Sequence, residues 1–434
     1  MSFQLISKMS AYVFLLILSI SVVFGKQGFG PTDQEWGYIT VKEGGHMFWW
    51  LHYTTAEVED PTTIPLVIWL QGGPGASSTG YGNLGEIGPI DEYLNERKYA
   101  WTKNYNVLFV DSPVGAGFSY VDIFLALARN NTQIADDFLV FMQGFYEQMP
   151  KLNNTPLYIF CESYGGKMTA EIALVLYEAQ QNGKLPKTLK GIGLGDSWIS
   201  PVDTVLTWGV YLLNQGLVDN IGYNSIQSGA EKIADALSAG KFSEATSLWE
   251  PLQLIVENAT SGIDFYNVLA KVSLNGKDAR TSRTLSKPVG DINAELIFEV
   301  MNNQVKTALG LKRDWVYENL QVSDALNIDF MKPVTDIVEK LLNETNIEVV
   351  VYNGELDLIV DTPGTMKWVN RLKWNGAEEW NSTTHKPMFV NGTIEGFYKK
   401  VKNFTFYWVS RAGHMVPCDN PHAMEHILEK TIKK

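Results

Sequence analysis

The stretch Leu157-Tyr-Ile-Phe-Cys-Glu-Ser-Tyr-Gly-Gly-Lys167 decides how the chain is read. Leu157 to Phe160 are apolar or β-favouring and predict a short buried strand. A helix-compatible run, Lys167 to Gln181, follows directly on Glu162-Ser-Tyr-Gly-Gly166. A serine at a sharp strand-to-helix turn is a nucleophile-elbow arrangement. The turn lifts Oγ above the sheet and leaves backbone N–H groups at a helix N-terminus near a developing oxyanion. Gly165 and Gly166 supply the small residues such a turn needs. The strict pattern G-x-S-x-G is not met, because Cys161 stands where its first glycine belongs. A serine between strand and helix also serves as a plain turn residue or N-cap, so the nucleophile reading depends on the rest of the chain.

Outward from the elbow, strand and helix signals alternate. Leu66 to Leu70 and Asn106 to Val110 are continuous apolar runs of the kind found in strands covered on both faces. Each empties into a loop rich in glycine, Gln71-Gly-Gly-Pro-Gly-Ala-Ser-Ser78 and Asp111-Ser-Pro-Val-Gly-Ala-Gly-Phe-Ser119. Trp36 to Val41 and His46 to Tyr53 flank Glu43-Gly44-Gly45 and predict a hairpin. A helix is expected from about Thr132 to Gln148, and a strand at Leu189 to Gly195. After the break described next come a helix at Met331 to Leu342, a strand at Glu348 to Tyr352, a helix opening at Thr362-Pro363, a strand at Phe404 to Val409 and a last helix from Pro421. Such alternation implies an α/β fold with a mostly parallel central sheet and helices on both faces. Between about 201 and 323 the signal changes to helical runs (Tyr223 to Leu237, Ser243 to Ala259, Ala294 to Leu309) without buried strands, which reads as an inserted helical cap.

The 434 residues are ample for a large core, and 45% hydrophobic with 19% charged residues is ordinary globular composition. A net charge of -13 argues against nucleic acid or an anionic membrane as partner. Lys8 followed by the apolar run Ala11 to Phe24 matches a signal peptide over residues 1–25, leaving 26–434 as the catalytic unit; no later run is long enough to span a bilayer. Secretory entry agrees with N-x-S/T sequons at Asn130, Asn153, Asn258, Asn343, Asn381, Asn391 and Asn403. Secreted or lysosomal destinations both fit. With only Cys161 and Cys418, no disulfide framework is expected, and the two read as free thiols rather than a bridge.

A serine nucleophile needs a base and the base an orienting acid, and in α/β hydrolases these follow in the order serine, acid, histidine on loops after strands. Of six histidines, His46 and His52 precede the serine and His385 lies in a polar loop. His422 and His426, four apart on the last helix, read as a solvated face because no third metal ligand accompanies them. His414, in Arg411-Ala-Gly-His-Met-Val-Pro417 after the last strand, has the right order and place. For the acid, Asn353-Gly-Glu-Leu-Asp-Leu-Ile-Val-Asp361 offers Glu355, Asp357 and Asp361. Asp361 before Thr362-Pro363 reads as a helix cap and Glu355 as a turn residue, which leaves Asp357.

With these residues in view, the chain resembles the serine carboxypeptidase family, and within it the retinoid-inducible branch. The carriers are Trp69-Leu-Gln-Gly-Gly-Pro-Gly75, Glu86-Ile-Gly-Pro89, Val110-Asp-Ser-Pro-Val-Gly-Ala-Gly-Phe-Ser119, Glu162-Ser-Tyr-Gly-Gly166, Tyr352-Asn-Gly-Glu-Leu-Asp357 and Gly413-His-Met-Val-Pro417. Each is weak alone; in this order and spacing they are specific, and the likeness runs from about Trp36 to the C-terminus. The resemblance implies a triad of Ser163, Asp357 and His414, an oxyanion hole from the N–H groups of Gly73 and Tyr164, and no metal or organic cofactor. It also implies that the free carboxylate of a peptide C-terminus, the expected substrate, is held by Gln71, the Gly72 N–H, Glu86 and Glu162. Two glutamates can hold a carboxylate only if the group carries extra protons, so binding is expected to be strongest in acid. Most of the family has asparagine where Gln71 stands and a small residue where Cys161 stands; the retinoid-inducible branch shares the glutamine. An esterase or acyltransferase on the same fold has no use for the two glutamates, and a silent binding protein no use for an intact triad.

Overall fold

Alternate residues of the central strands face two different cores, which is why their sequences are apolar throughout. Leu66, Ile68, Leu70, Leu157, Ile159 and Cys161 join one cluster, whereas Val67, Trp69, Tyr158 and Phe160 join another on the opposite side of the sheet. The structure, a computed structural model, describes residues 26–270 and 292–432. The expected signal segment lies outside them.

Twelve strands form one sheet. In chain order they are β1 (Lys26–Gln27), β2 (Asp33–Lys42), β3 (Gly45–His52), β4 (Leu66–Leu70), β5 (Asn106–Val110) and β6 (Tyr120–Val121). These are followed by β7 (Leu157–Glu162), β8 (Leu189–Gly195), β9 (Glu348–Gly354), β10 (Lys386–Val390), β11 (Thr393–Val401) and β12 (Phe404–Val409). The spatial order is β1-β2-β3-β5-β4-β7-β8-β9-β12-β11-β10, with β6 paired to β3. The six strands from β5 to β12 in that order run parallel. The hairpins β2–β3 and β10–β11 add antiparallel edges. The chain is therefore an α/β protein with a mostly parallel sheet.

Helix α1 (Asn131–Gln148) opens on Asn130, whose side chain accepts from the Gln133 N–H, and it buries Phe138, Phe141, Met142 and Phe145 in the first cluster. Helix α2 (Tyr164–Gln181) covers the same face with Met168, Ile172 and Leu176, while the C-terminal helix Pro421–Thr431 covers the other with Met424, Ile427 and Leu428. Between β8 and β9 lie helices Pro201–Asn214, Asn220–Ser238, Phe242–Ser247 and Trp249–Thr260, and later a segment in which Val300–Val305 is π-helical. The single helix expected from Ser243 to Ala259 is thus two. Pro251 has no N–H to offer the Ser247 carbonyl, and the chain restarts at Trp249. Among the described residues no helix is long and apolar enough to cross a membrane.

Candidate active site

The elbow is built by close approach. Ser163, between β7 and α2, has φ 60° and ψ -128°, a backbone state that costs a non-glycine residue about 1–3 kcal/mol. Its N–H donates to Gly195 O (3.1 Å), and its carbonyl accepts from Gly166 N (3.0 Å) and Trp198 N (2.9 Å). A Cβ on Gly165 would run into Leu70 O, and one on Gly166 into Ser197 Oγ. The glycines are thus required by what surrounds the turn rather than by their dihedral angles. A Cβ on Gly72 would sit 2.6 Å from Ser163 Cβ and 2.9 Å from Tyr164 N, so the Gly72-Gly73 loop lies against the nucleophile elbow and the first amide of α2.

His414 and Asp357 form a buried pair, Nδ1 to Oδ2 at 2.7 Å, with side chains 2% and 0% exposed. Asp357 Oδ1 accepts from Val360 N (3.1 Å), and His414 N donates to Tyr266 O (2.7 Å). An ionised Asp357 only accepts, so Nδ1 carries the proton and Nε2 presents its lone pair. That Nε2 is buried, and among the described residues no group bonds to it, Ser163 Oγ included. Ser163, Asp357 and His414 follow β7, β9 and β12 respectively, three parallel strands whose carboxyl ends face the same way.

Beside the serine lies a buried acid cluster. Gln71 Nε2 donates to Glu162 Oε1 (3.0 Å), and Gln71 Oε1 is held by Trp69 Nε1 (2.7 Å). Glu86 comes from a buried π-helical segment, Ser78–Ile87, that follows the glycine-rich loop and has no periodic signal in the sequence. Glu86 and Glu162 are 2% and 3% exposed and within hydrogen-bonding reach of one another. Among the described residues no backbone N–H or hydroxyl reaches either oxygen of Glu86 or Oε2 of Glu162; Gln71 is the neutral donor beside Glu86. Burial pushes Glu86 up to about 7. Burial, and then the charge of Glu86, push Glu162 well above the carboxylate range. The pair therefore shares at least one proton, carried by Glu162 and donated to Glu86. Glu162 is far from the solvent.

Two buried ionisable residues, Asp196 and Lys167, are not among the candidates read from the sequence. Asp196, at the end of β8 between the serine and acid strands, has a carboxylate oxygen within 4.8 Å of both an Asp357 oxygen and a His414 nitrogen. Lys167, fully buried on α2, donates to the carbonyls of Asp329, Phe330 (3.4 Å) and Lys332 (2.9 Å) and lies 3.1 Å from Asp329 Oδ2. A carboxylate directly after a parallel strand was the available signal for Asp196.

Asp361 caps the helix Thr362–Arg371, accepting from Gly364 N, and Glu355 is half-buried. His422 is exposed and bonded to Tyr99 Oη, and His52 is buried between Thr32 and Asn83. Cys161 Sγ donates to Gly193 O and Cys418 Sγ to Gly85 O, so the two thiols are free and apart. Among the sequons Asn258, Asn343, Asn381 and Asn391 are exposed, whereas Asn130, Asn153 and Asn403 are half-buried.

A sequence profile described as serine carboxypeptidase matches residues 25–434. The retinoid-inducible serine carboxypeptidase of Rattus norvegicus is 41% identical over 426 residues, 94% of either chain. Serine carboxypeptidase-like 51 of Arabidopsis thaliana is 37% identical, covering 90% of each. Among solved structures, a prohormone-processing carboxypeptidase from Saccharomyces cerevisiae superposes with a TM-score of 0.78 at 22% identity, over 92% of this chain and 91% of its own.

Proposed function

The chain belongs to the serine carboxypeptidase family and is a serine-type carboxypeptidase, and from that premise we propose the residues that carry the reaction. Ser163 Oγ attacks the carbonyl carbon of the last peptide bond while His414 Nε2 takes its proton. Asp357 holds the imidazole tautomer and stabilises the imidazolium. The N–H groups of Gly73 and Tyr164 receive the charge developing on the carbonyl oxygen. His414 returns the proton to the departing amine, so the C-terminal residue leaves as product and its peptide partner stays esterified to Ser163. Water, deprotonated by His414, then releases the acyl group. Gln71, the Gly72 N–H, Glu86 and Glu162 hold the substrate's free carboxylate and so restrict cleavage to the chain end.

The observation that carries this reading is the proton-sharing pair of Glu86 and Glu162, the latter one residue before the nucleophile. Protonated, these groups donate to a carboxylate; ionised, they repel it, and hence acidic conditions are favoured. The helices inserted between β8 and β9 act as the cap over this end of the sheet, and the leader and sequons assign the enzyme to the secretory pathway, lysosomal or secreted. The test is release of the C-terminal residue from a blocked dipeptide at pH 5, wild type against Ser163→Ala, with a C-terminally amidated peptide alongside. Release lost in the variant and absent with the amide supports the assignment. Equal cleavage of acid and amide makes the protein a general acyl hydrolase instead, and undiminished release by Ser163→Ala removes Ser163 as nucleophile.

A further inference from the structure

We infer that Asp196 is a positioning residue of the catalytic apparatus: as a neutral carboxylic acid it donates its O–H to Asp357 and fixes the carboxylate that receives His414. The inference rests on Asp357 and His414 being the working acid and base.

Four observations lead to it. Asp196 is fully buried and adopts φ +40°, a left-handed state in a residue with a side chain, directly at the end of β8. Its backbone is tied down, the N–H to Tyr352 O at 2.9 Å, and its Oδ1 accepts from Gly354 N at 2.8 Å. That arrangement spends one oxygen on the strand carrying Asp357. The other, Oδ2, is buried and receives no hydrogen bond from the described residues. Asp196, Asp357 and His414 each present an oxygen or nitrogen within 4.8 Å of the others, all three fully buried.

Two carboxylates at that separation, away from water, cannot both be ionised without a cation between them. The groups facing Asp196 are Asp357 and His414 from the loops after β9 and β12, Asp419 from the short helix Val416–Asp419, Glu162 from the end of β7 and Tyr352 from β9. Among the described residues no lysine or arginine forms an ion pair with it. His414 already spends its Nδ1–H on Asp357. A proton on Oδ2 satisfies it, and turns an orphan acceptor into a donor aimed at the triad acid. Burial and the Asp357 charge both favour that proton staying on Asp196. As pH rises the proton is lost, the second negative charge pushes Asp357 off His414, and turnover falls.

Asparagine reproduces this arrangement without titrating: its carbonyl can accept from Gly354 N and its NH2 can donate to Asp357. The experiment measures kcat across pH 4–9 at saturating substrate for wild type, Asp196→Asn and Asp196→Ala, with Ser163→Ala as control. Expected are a kcat for Asp196→Asn within about threefold of wild type in acid, and an alkaline limb moved to higher pH. For Asp196→Ala, which leaves the acid and the Gly354 amide without a partner, kcat drops about ten- to hundredfold with KM little changed. An unmoved alkaline limb in Asp196→Asn overturns the inference. So does an alanine variant as active as wild type. Should Asp196→Ala fail to fold, the asparagine profile alone decides. A Ser163→Ala protein that still turns over would instead overturn the triad reading, so the two failures are separate.

Discussion

Affinity for a peptide C-terminus should fall about tenfold between pH 5 and pH 8, with Glu86 as the titrating group. Burial raises Glu86 to about 7, whereas the substrate's own carboxyl, with a pKa of about 3.5, stays ionised throughout. If only protonated Glu86 accepts the carboxylate, apparent Kd scales as 1 + 10^(pH − 7), a factor of about 1 at pH 5 and about 11 at pH 8. Titration calorimetry of a blocked dipeptide into Ser163→Ala isolates binding from chemistry. In the doubly substituted Ser163→Ala/Glu86→Gln protein the amide donates at every pH, and the profile should flatten. Equal affinity at pH 5 and pH 8, or a slope that survives Glu86→Gln, would refute the assignment. The same group makes a stability statement with a definite sign. Its folded pKa lies above the unfolded value of 4.5, so its contribution is fully present below pH 4.5 and lost as pH rises to about 7. The loss amounts to about 3 kcal/mol at 1.36 kcal/mol per unit. Urea midpoints for wild type should therefore drop over that window relative to those for Glu86→Gln.

Gln71 spans Trp69 Nε1 and Glu162 Oε1; shortening it by one methylene in Gln71→Asn breaks one of these bonds. KM at pH 5 should rise about two- to tenfold, the worth of one hydrogen bond, with kcat little changed; a large fall in kcat at constant KM would contradict this. Lys167→Met removes the nearer of two lysines from the buried Asp329 carboxylate, leaving Lys332 at 3.8 Å and the Asn131 N–H, and should cost about 3 kcal/mol in urea unfolding. A loss below about 1 kcal/mol would show the pair to be dispensable. Burial pushes the Cys161 thiol up to about 12 and the Cys418 thiol well above its ordinary value. Neither thiol should react with iodoacetamide in the native protein at pH 7, and dithiothreitol should leave Tm unchanged; rapid labelling of either would overturn the burial argument.

What the sequence reveals is what burial on two faces imposes. The bounds expected for Leu66–Leu70, Asn106–Val110, Leu189–Gly195 and Phe404–Val409 are those found: the first two are short apolar runs with polar flanks, and the last two are rich in aliphatic, aromatic or small residues that pack in the sheet. β10 and β11 escaped notice because most of their side chains are exposed or half-buried and carry no clear period. Their Asn391-Gly392 turn, with φ of 50° and 82°, was nevertheless the strongest short hairpin signal in the chain. The order serine, acid, histidine is legible because each residue follows its own strand. The acid cluster is not: Gln71, Glu86 and Glu162 lie far apart in sequence, and resemblance alone brought them together before the fold did. Asp196 is illegible for a similar reason. Its meaning depends on β8 lying between β7 and β9, and sequence order does not state which strands are neighbours.

The two carboxyl pairs at this end of the sheet should separate in kinetics, because they act on different steps. On the proposed assignment Glu86 with Glu162 meets the substrate's carboxylate, which is bound before the serine attacks, and its proton then governs KM. Asp196 with Asp357, on the same assignment, acts only through His414, so its proton governs kcat. Glu86→Gln should consequently flatten the pH dependence of KM and leave the alkaline limb of kcat in place, while Asp196→Asn does the reverse. The double variant should show both changes at once and nearly additively, since the pairs share no hydrogen bond. If either single variant moves both profiles, the Coulombic link from Glu162 to Asp196 and Asp357 is strong enough to make the four carboxyls one titrating unit. Protons then distribute over all four, and the alkaline limit of the enzyme belongs to the cluster rather than to any one residue.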